Sequence, residues 1–301
     1  MPGRYPSGTG QQSFGRKAMN ITVLGTGIMG SGIATVAASK GFSVSAWNRT
    51  IERAQALEGD SLHAESDLAT AVSQADIIAI VVFDAGSVLD VLQKAYQHAP
   101  ADAVWVQMST IGTEGARQAR EFAEAHDLHL IETMMMGSKD QANSSQLILI
   151  GGGDEALFGK AKPFLDAISK KLVHCGAQVG DGTAVKLACN LWLGCITAAA
   201  CQSVKVLERQ HVNPQLFLDV IAGGTSDSPY AHIKGGKAIS EDYSPQFEVS
   251  ALEKDLGLMK SVMESVGFRS DLLSLVMDLY AQSDDKGHAH DDISAVATSF
   301  E

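Results

Sequence analysis

The sequence predicts an α/β domain built on a parallel sheet, then an all-α domain, with one long interdomain helix joining the two. Three observations predict it. From residue 20 to about 180, short apolar runs alternate with helical patterns, the order that βαβ units and a parallel sheet require. The first run leads directly into a glycine-rich turn, GTGIMG at 25–30. Beyond Gly182 the strand patterns stop, and 183–209 holds no proline and a single glycine, Gly194, far exceeding the usual helix of about 11–12 residues.

Taken in order, strands are predicted over 21–24, 43–47, 77–82, 104–107 and 128–131, then 146–150 and 172–174. Helices over 29–39, 51–57, 87–96, 113–125 and 155–168 fall between them. The helical domain adds 183–209, 214–221, 250–266 and 272–282. Residues 1–18 are rich in Gly, Pro, Ser and Gln and lack the apolar centre of a signal peptide, so they read as a disordered extension. The expected domains are therefore 19–181 and 182–301.

Composition narrows the function classes. The 301 residues are 45% hydrophobic and 19% charged, with a net charge of −12, an ordinary globular mix. No run of five basic residues occurs, so no nucleic-acid partner is expected. The most apolar stretch, 187–206, is broken by Asn190, Gln202, Ser203 and Lys205; it reads as a buried helix, and no membrane partner is expected. Cys175, Cys189, Cys195 and Cys201 form no CxxC pair, and reduced core thiols of a cytoplasmic protein are the expectation. GHAHDD at 287–292 reads as a solvated loop, with no metal expected. No GxSxG elbow or HExxH helix occurs, so hydrolase readings find no support.

The glycines Gly25, Gly27 and Gly30 follow an apolar strand and open a helix through Ile28 and Met29. Gly25 permits the tight turn, Gly27 lets a diphosphate approach the backbone, and Gly30 lets helix and sheet pack closely. The diphosphate then meets free N–H groups at a helix N-terminus. This is the context a Rossmann-type dinucleotide site requires. Asn48, Arg49 and Thr50 end the second strand, where an NAD site carries Asp or Glu. Arg49 can pair with a 2′-phosphate, and Asn48 and Thr50 add uncharged donors, so NADP(H) is the predicted cofactor. That Arg49 merely opens a solvated helix face is the alternative.

Gly182, Lys186, Asn190 and Gly194 recur at spacing four, so they share one face of the long helix. A lysine in a greasy helix is seldom buried without a partner or a task. Lys186 and Asn190 together make a polar slot suited to the wall of a substrate cleft. An ammonium there can stabilise the alkoxide that forms when a carbonyl is reduced, and can deliver its proton. A lysine snorkelling at a domain contact is the bland alternative.

VLGTGIMGSGIA with WNRT, QMSTIG at 107–112, GDGTAVKLACN at 180–190, LEKDLGLM at 252–259 and DDISAV at 291–296 together resemble the β-hydroxyacid dehydrogenase family. Its members include 3-hydroxyisobutyrate dehydrogenases, glyoxylate/succinic semialdehyde reductases and, more distantly, imine reductases. The resemblance implies that Thr110 lies beside the nicotinamide, that Lys186 is the catalytic lysine, and that Asn190 contacts substrate. It implies that Lys254 and Asp255 close over the cofactor, and that the protein is a homodimer or tetramer packed through the long helix.

One segment departs from the family. Where relatives carry roughly Pro-Val-Ser-Gly-Gly, this chain has Met134, Met135, Met136, Gly137 and Ser138. The resemblance makes Met136, Gly137, Ser138 and Lys139 substrate residues, with the family's serine hydroxyl replaced by a thioether that cannot donate. Larger apolar aldehydes, ketones or imines are therefore expected over compact acids, with Lys139 as a partial substitute anchor. The alternatives are an imine reductase-like enzyme and an NADP(H)-binding sensor without turnover.

Overall fold

A computed structural model of the chain describes residues 19–301; the extension expected over 1–18 lies outside the described residues. The first part runs β1 (Asn20–Leu24), α1 (Ile28–Ser39), β2 (Ser43–Trp47), α2 (Ile51–Gln55), β3 (Leu62–Glu65) and α3 (Leu68–Val72). It continues with β4 (Ile77–Ile80), α4 (Ala85–Ala95), β5 (Val104–Gln107), α5 (Gly112–Ala125), β6 (His129–Met136) and α6 (Lys139–Asn143). β7 (Leu147–Gly152), α7 (Glu155–Ile168) and β8 (Ser169–His174) complete it.

The strands form one sheet in the order β3-β2-β1-β4-β5-β6-β7-β8. Strands β4 and β5 are buried at every residue, as expected when helices cover both faces of a parallel sheet. Val104 and Val106 face a core shared with Ile33 of α1 and Phe164 of α7. Trp105, pointing the other way, packs with Leu92 of α4 and Ala119 of α5. The strand order reverses beside β1, where α/β sheets open a crevice at the strands' carboxyl ends.

The second part is α8 (Asp181–Arg209), α9 (Gln215–Ile221), α10 (Pro229–Ser240), α11 (Val249–Ser265), α12 (Asp271–Ser283) and a closing 3-10 helix, Ile293–Phe300. Cys201 and Val204 of α8, Leu252 and Leu256 of α11, and Val276 and Tyr280 of α12 share its core. By length and apolarity alone α8 could cross a membrane. Here it is the axle of the helical part, with Lys186, Asn190 and Lys205 on its buried face.

Four expectations need correction. The sheet is not wholly parallel: β6 and β7 pair antiparallel, because the link 137–146 is shorter than the dozen or so residues a parallel crossover needs. Strand β6 extends through Met136, opposite Ile148, so the methionine run lies inside a strand rather than after it. Methionine is not among the β-branched and aromatic residues that announce strands. The short edge pair β3 and α3 was not expected, nor was α10, whose GG pair at 235–236 reads as a turn.

Candidate active site

At Gly25 the backbone adopts φ +106, and a Cβ there would lie 2.1 Å from the Val81 carbonyl oxygen. A Cβ at Gly30 would lie 1.9 Å from the Gly25 carbonyl oxygen, so both positions require glycine for close packing. Gly27 differs, since an added Cβ would meet nothing within 4 Å. Gly27 also caps α1 without a side-chain hydrogen bond, and no acidic residue stands in the helix's first turn. The free N–H groups of that turn, open to space, suit an anionic diphosphate. Beside them the buried Thr26 hydroxyl has no hydrogen-bond partner. Ile28 is exposed and Met29 half-buried at the same turn.

Arg49 and Thr50 are exposed at the end of β2. Asn48 is partly engaged: its Oδ1 accepts from Thr26 N (3.2 Å) and one N–H of its Nδ2 donates to Thr50 O (3.0 Å), leaving the second N–H unassigned. Its amide therefore braces the glycine turn against β2 and keeps one N–H for a ligand. Across the crevice, Ser109 Oγ accepts from Val82 N at 2.8 Å, and Gln107 Nε2 donates to Ser109 O at 2.9 Å. These buried bonds shape the turn that presents Thr110. QMSTIG contains Gln107 and Ser109, but nothing in its spacing marks them as partners of Val82 or of each other.

Lys186 is 8% exposed, and its Nζ donates to Met136 Sδ at 3.4 Å. One turn along α8, the fully buried Asn190 donates from Nδ2 to Asp255 Oδ2 of α11 at 2.5 Å. Lys254 stands 3.1 Å from Asp255 Oδ1 as an ion pair. Its ammonium also donates to Thr110 O (2.9 Å) and Phe83 O (3.1 Å) and lies 4.9 Å from the Phe83 ring centroid. Lys254 thus fastens the helical part to the loops after β4 and β5, and Asp255 carries that contact to α8.

The cluster is incompletely satisfied. Asn190 Oδ1 is buried without a hydrogen-bond partner among the described residues, Asp255 Oδ1 has only the Lys254 ammonium beside it, and a thioether is a weak acceptor for an ammonium. Burial pulls the Lys186 pKa below its ordinary 10.5, with Asp255 opposing the shift. Burial pushes Asp255 up, opposed by Lys254 and Lys186. An ammonium so placed can turn toward a developing oxyanion and release its proton readily.

The substrate segment is arranged differently from expectation. Ser138 caps α6, and both its N–H (2.9 Å) and its hydroxyl (2.7 Å) donate to Gln141 Oε1. Neither donor is free for a ligand, whereas Gly137 and Lys139 are exposed. GHAHDD is not one solvated loop. His288 and His290 pair with Asp291 and Glu248, while Asp292 is fully buried against Lys234.

An open anion-binding turn at the switch point of the sheet is the geometry of a dinucleotide site. Residues 20–176 match the family profile of the NAD binding domain of 6-phosphogluconate dehydrogenase. Residues 180–300 match that of the NAD-binding of NADP-dependent 3-hydroxyisobutyrate dehydrogenase. Glyoxylate/succinic semialdehyde reductase 2, chloroplastic, of Arabidopsis thaliana is 27% identical over 92% of this chain and 78% of its own. The 3-hydroxyisobutyrate dehydrogenase of Mycobacterium tuberculosis, solved with L-serine, superposes with a TM-score of 0.86 at 25% identity, covering 95% of this chain and all of that one (100%). An imine reductase of Streptomyces aurantiacus shares the fold, with a TM-score of 0.62 at 18% identity over 94% of this chain and 100% of its own. The chain belongs to the β-hydroxyacid dehydrogenase family and is an oxidoreductase that uses a nicotinamide dinucleotide.

Proposed function

We propose that this oxidoreductase reduces neutral carbonyl substrates with a sizeable apolar portion, using NADPH, with Lys186 as the proton donor. The observation that carries the reading is the buried Lys186 ammonium, whose hydrogen-bonding neighbour is the thioether of Met136. Reduced nicotinamide, when bound, supplies a hydride to the carbonyl carbon. Gly25, Gly27, Ile28, Met29, Gly30, Arg49 and Thr50 would hold the dinucleotide, with Thr110 and Lys254 at its nicotinamide end. Lys186 stabilises negative charge on the substrate oxygen and delivers a proton to it. Asn190, fixed by Asp255, leaves its unpartnered Oδ1 to accept from the hydroxyl of the alcohol product or from a donor elsewhere on the substrate. Met136 stands where the family pattern has a serine, and Ser138 is engaged by Gln141, so Gly137 and the exposed Lys139 are what this segment leaves to hold a small carboxylate.

The test is NADPH oxidation over a panel of aldehydes, ketones, cyclic imines and compact 2-oxo acids. Bulky neutral carbonyls are expected to exceed glyoxylate in kcat/KM by at least about tenfold, the value of one lost hydrogen bond to a charged group. No turnover of any carbonyl would leave a binding protein without catalysis. NADPH should exceed NADH by at least about tenfold, and Arg49→Asp should abolish that preference.

A homodimer is part of the same proposal. Val185, Trp192 and Val206 are 40%, 63% and 53% exposed at heptad spacing along α8, and Leu272 and Leu275 of α12 are also exposed. An apolar stripe of this kind fits a second copy of the chain, and light scattering at micromolar concentration checks it. The unpaired cysteines fit a reducing compartment, and the cytoplasm is the proposed location.

A further inference from the structure

Strand β6 meets α8 twice. Met136 touches Lys186, and four residues earlier on the same strand face Glu132 meets the start of the helix. Glu132 is fully buried. Its Oε1 accepts from Gly180 N (2.7 Å) and Thr183 N (3.0 Å), and its Oε2 accepts from Thr183 Oγ1 (2.6 Å).

A buried carboxylate is costly unless hydrogen-bonded, and the first turn of a helix has N–H groups that need acceptors. Each therefore satisfies the other. The surroundings are shaped to admit the carboxylate: a Cβ at Gly152 would stand 2.8 Å from Glu132 Oε1 and one at Gly182 3.1 Å from it. Gly180 reaches the carboxylate with φ +119, a conformation most side chains avoid. Thr183 lies three residues before Lys186, on the same helix face.

We infer that Glu132 is a positioning residue of the reaction: by clamping the first turn of α8 to β6, it sets the rotation of the helix that holds the Lys186 ammonium in the cleft. The inference rests on Lys186 as the proton donor, so its test separates the two.

Glu132→Ala, Glu132→Gln and Thr183→Val are each made in the parent and in Lys186→Met. The readouts are kcat, KM, the NADPH dissociation constant by fluorescence, and Tm. Glu132→Ala should lower kcat about 30-fold, equal to about 2 kcal/mol. NADPH affinity should stay within about threefold, since the glycine turn is untouched. Glu132→Gln keeps an acceptor for both backbone donors and should recover kcat to within about threefold of the parent. Thr183→Val, which deletes one hydroxyl and keeps the side-chain shape, should lower kcat about fivefold, and it carries the test if Glu132→Ala fails to fold.

In Lys186→Met, each change should lower the residual rate by less than about twofold, because it acts through the missing ammonium. If the losses repeat at full size in that background, Glu132 does not position Lys186 and the inference fails alone. If Lys186→Met by itself keeps the parental rate, the proton-donor reading fails and this inference falls with it.

Discussion

Two lysine–aspartate sites are buried in the helical part, and they are built to opposite standards. Lys234 of α10 lies 2.8 Å from both Asp292 carboxylate oxygens. Asp292 also accepts from Ser294 Oγ (2.7 Å), Ser294 N (3.1 Å), and the amides of Gln246 and Phe247 (each 3.3 Å). Burial works to raise the Asp292 pKa, but Lys234 and Ser294 hold it below the ordinary carboxylate value. Around Lys186 the inventory is short: a thioether for the ammonium, one ion pair from Lys254 to Asp255, and a buried acceptor oxygen left over on Asn190. A saturated network specifies a structure, whereas an unsaturated one holds polar groups in reserve for a ligand. The first fastens α10 to the chain's closing turn; the second joins α8 to β6 and α11.

Breaking the saturated pair should give the largest effect. Lys234→Met strands a buried carboxylate and should lower unfolding stability by about 3–5 kcal/mol, read from denaturant melts. If stability hardly changes, Asp292 is not held as the structure shows it. Lys186→Met should do the reverse. Replacing an incompletely bonded ammonium by a methionine should leave the melt unchanged or improve it, while kcat/KM falls by about 3 kcal/mol or more. A variant retaining more than about a tenth of the activity removes the proton-donor assignment.

Met136→Ser sharpens the contrast, because it gives the unsaturated site a new hydroxyl. Turnover of compact acids should rise about tenfold relative to bulky neutral carbonyls; an unchanged ratio means that Met136 does not select substrate. The smallest effect concerns pH. Reduction needs Lys186 protonated, and its pKa lies below 10.5 through burial. The reductive kcat/KM should therefore be flat at low pH and fall as pH rises through the lowered pKa, on the acid side of an ordinary lysine, while alcohol oxidation rises over the same range. Asp255 opposes the shift, so Asp255→Asn should move the alkaline limb to lower pH. A limb moving upward contradicts the sign of the coupling.

Local features were legible in the sequence. The glycine turn, the lack of an acidic residue at the end of β2, and the shared face of Lys186 and Asn190 all depend on residues a few positions apart, where spacing maps onto geometry. Asp255 was named through resemblance, but its bond to Asn190 spans 65 positions, and no periodicity reports such a contact. Ser138 is the instructive miss. Ser-x-x-Gln at 138–141 is a readable capping pattern, and it diverts the donors expected to face substrate. Glu132 also had a signal, a lone acid inside the apolar run of β6. A lone acid says that some partner exists without saying where.

The clamp at the start of α8 also decides which changes in length the chain can survive. Successive residues of an α-helix are turned by about 100° around its axis. Deleting or inserting one residue between Thr183 and Lys186 would leave Thr183 bonded to Glu132 and swing the lysine about a quarter-turn out of the cleft. Every later position on α8 would turn with it, carrying Asn190 away from Asp255 and the exposed Trp192 toward the core. Substitutions in this segment should therefore be tolerated better than gains or losses of residues, which loops such as the one joining α9 to α10 can absorb.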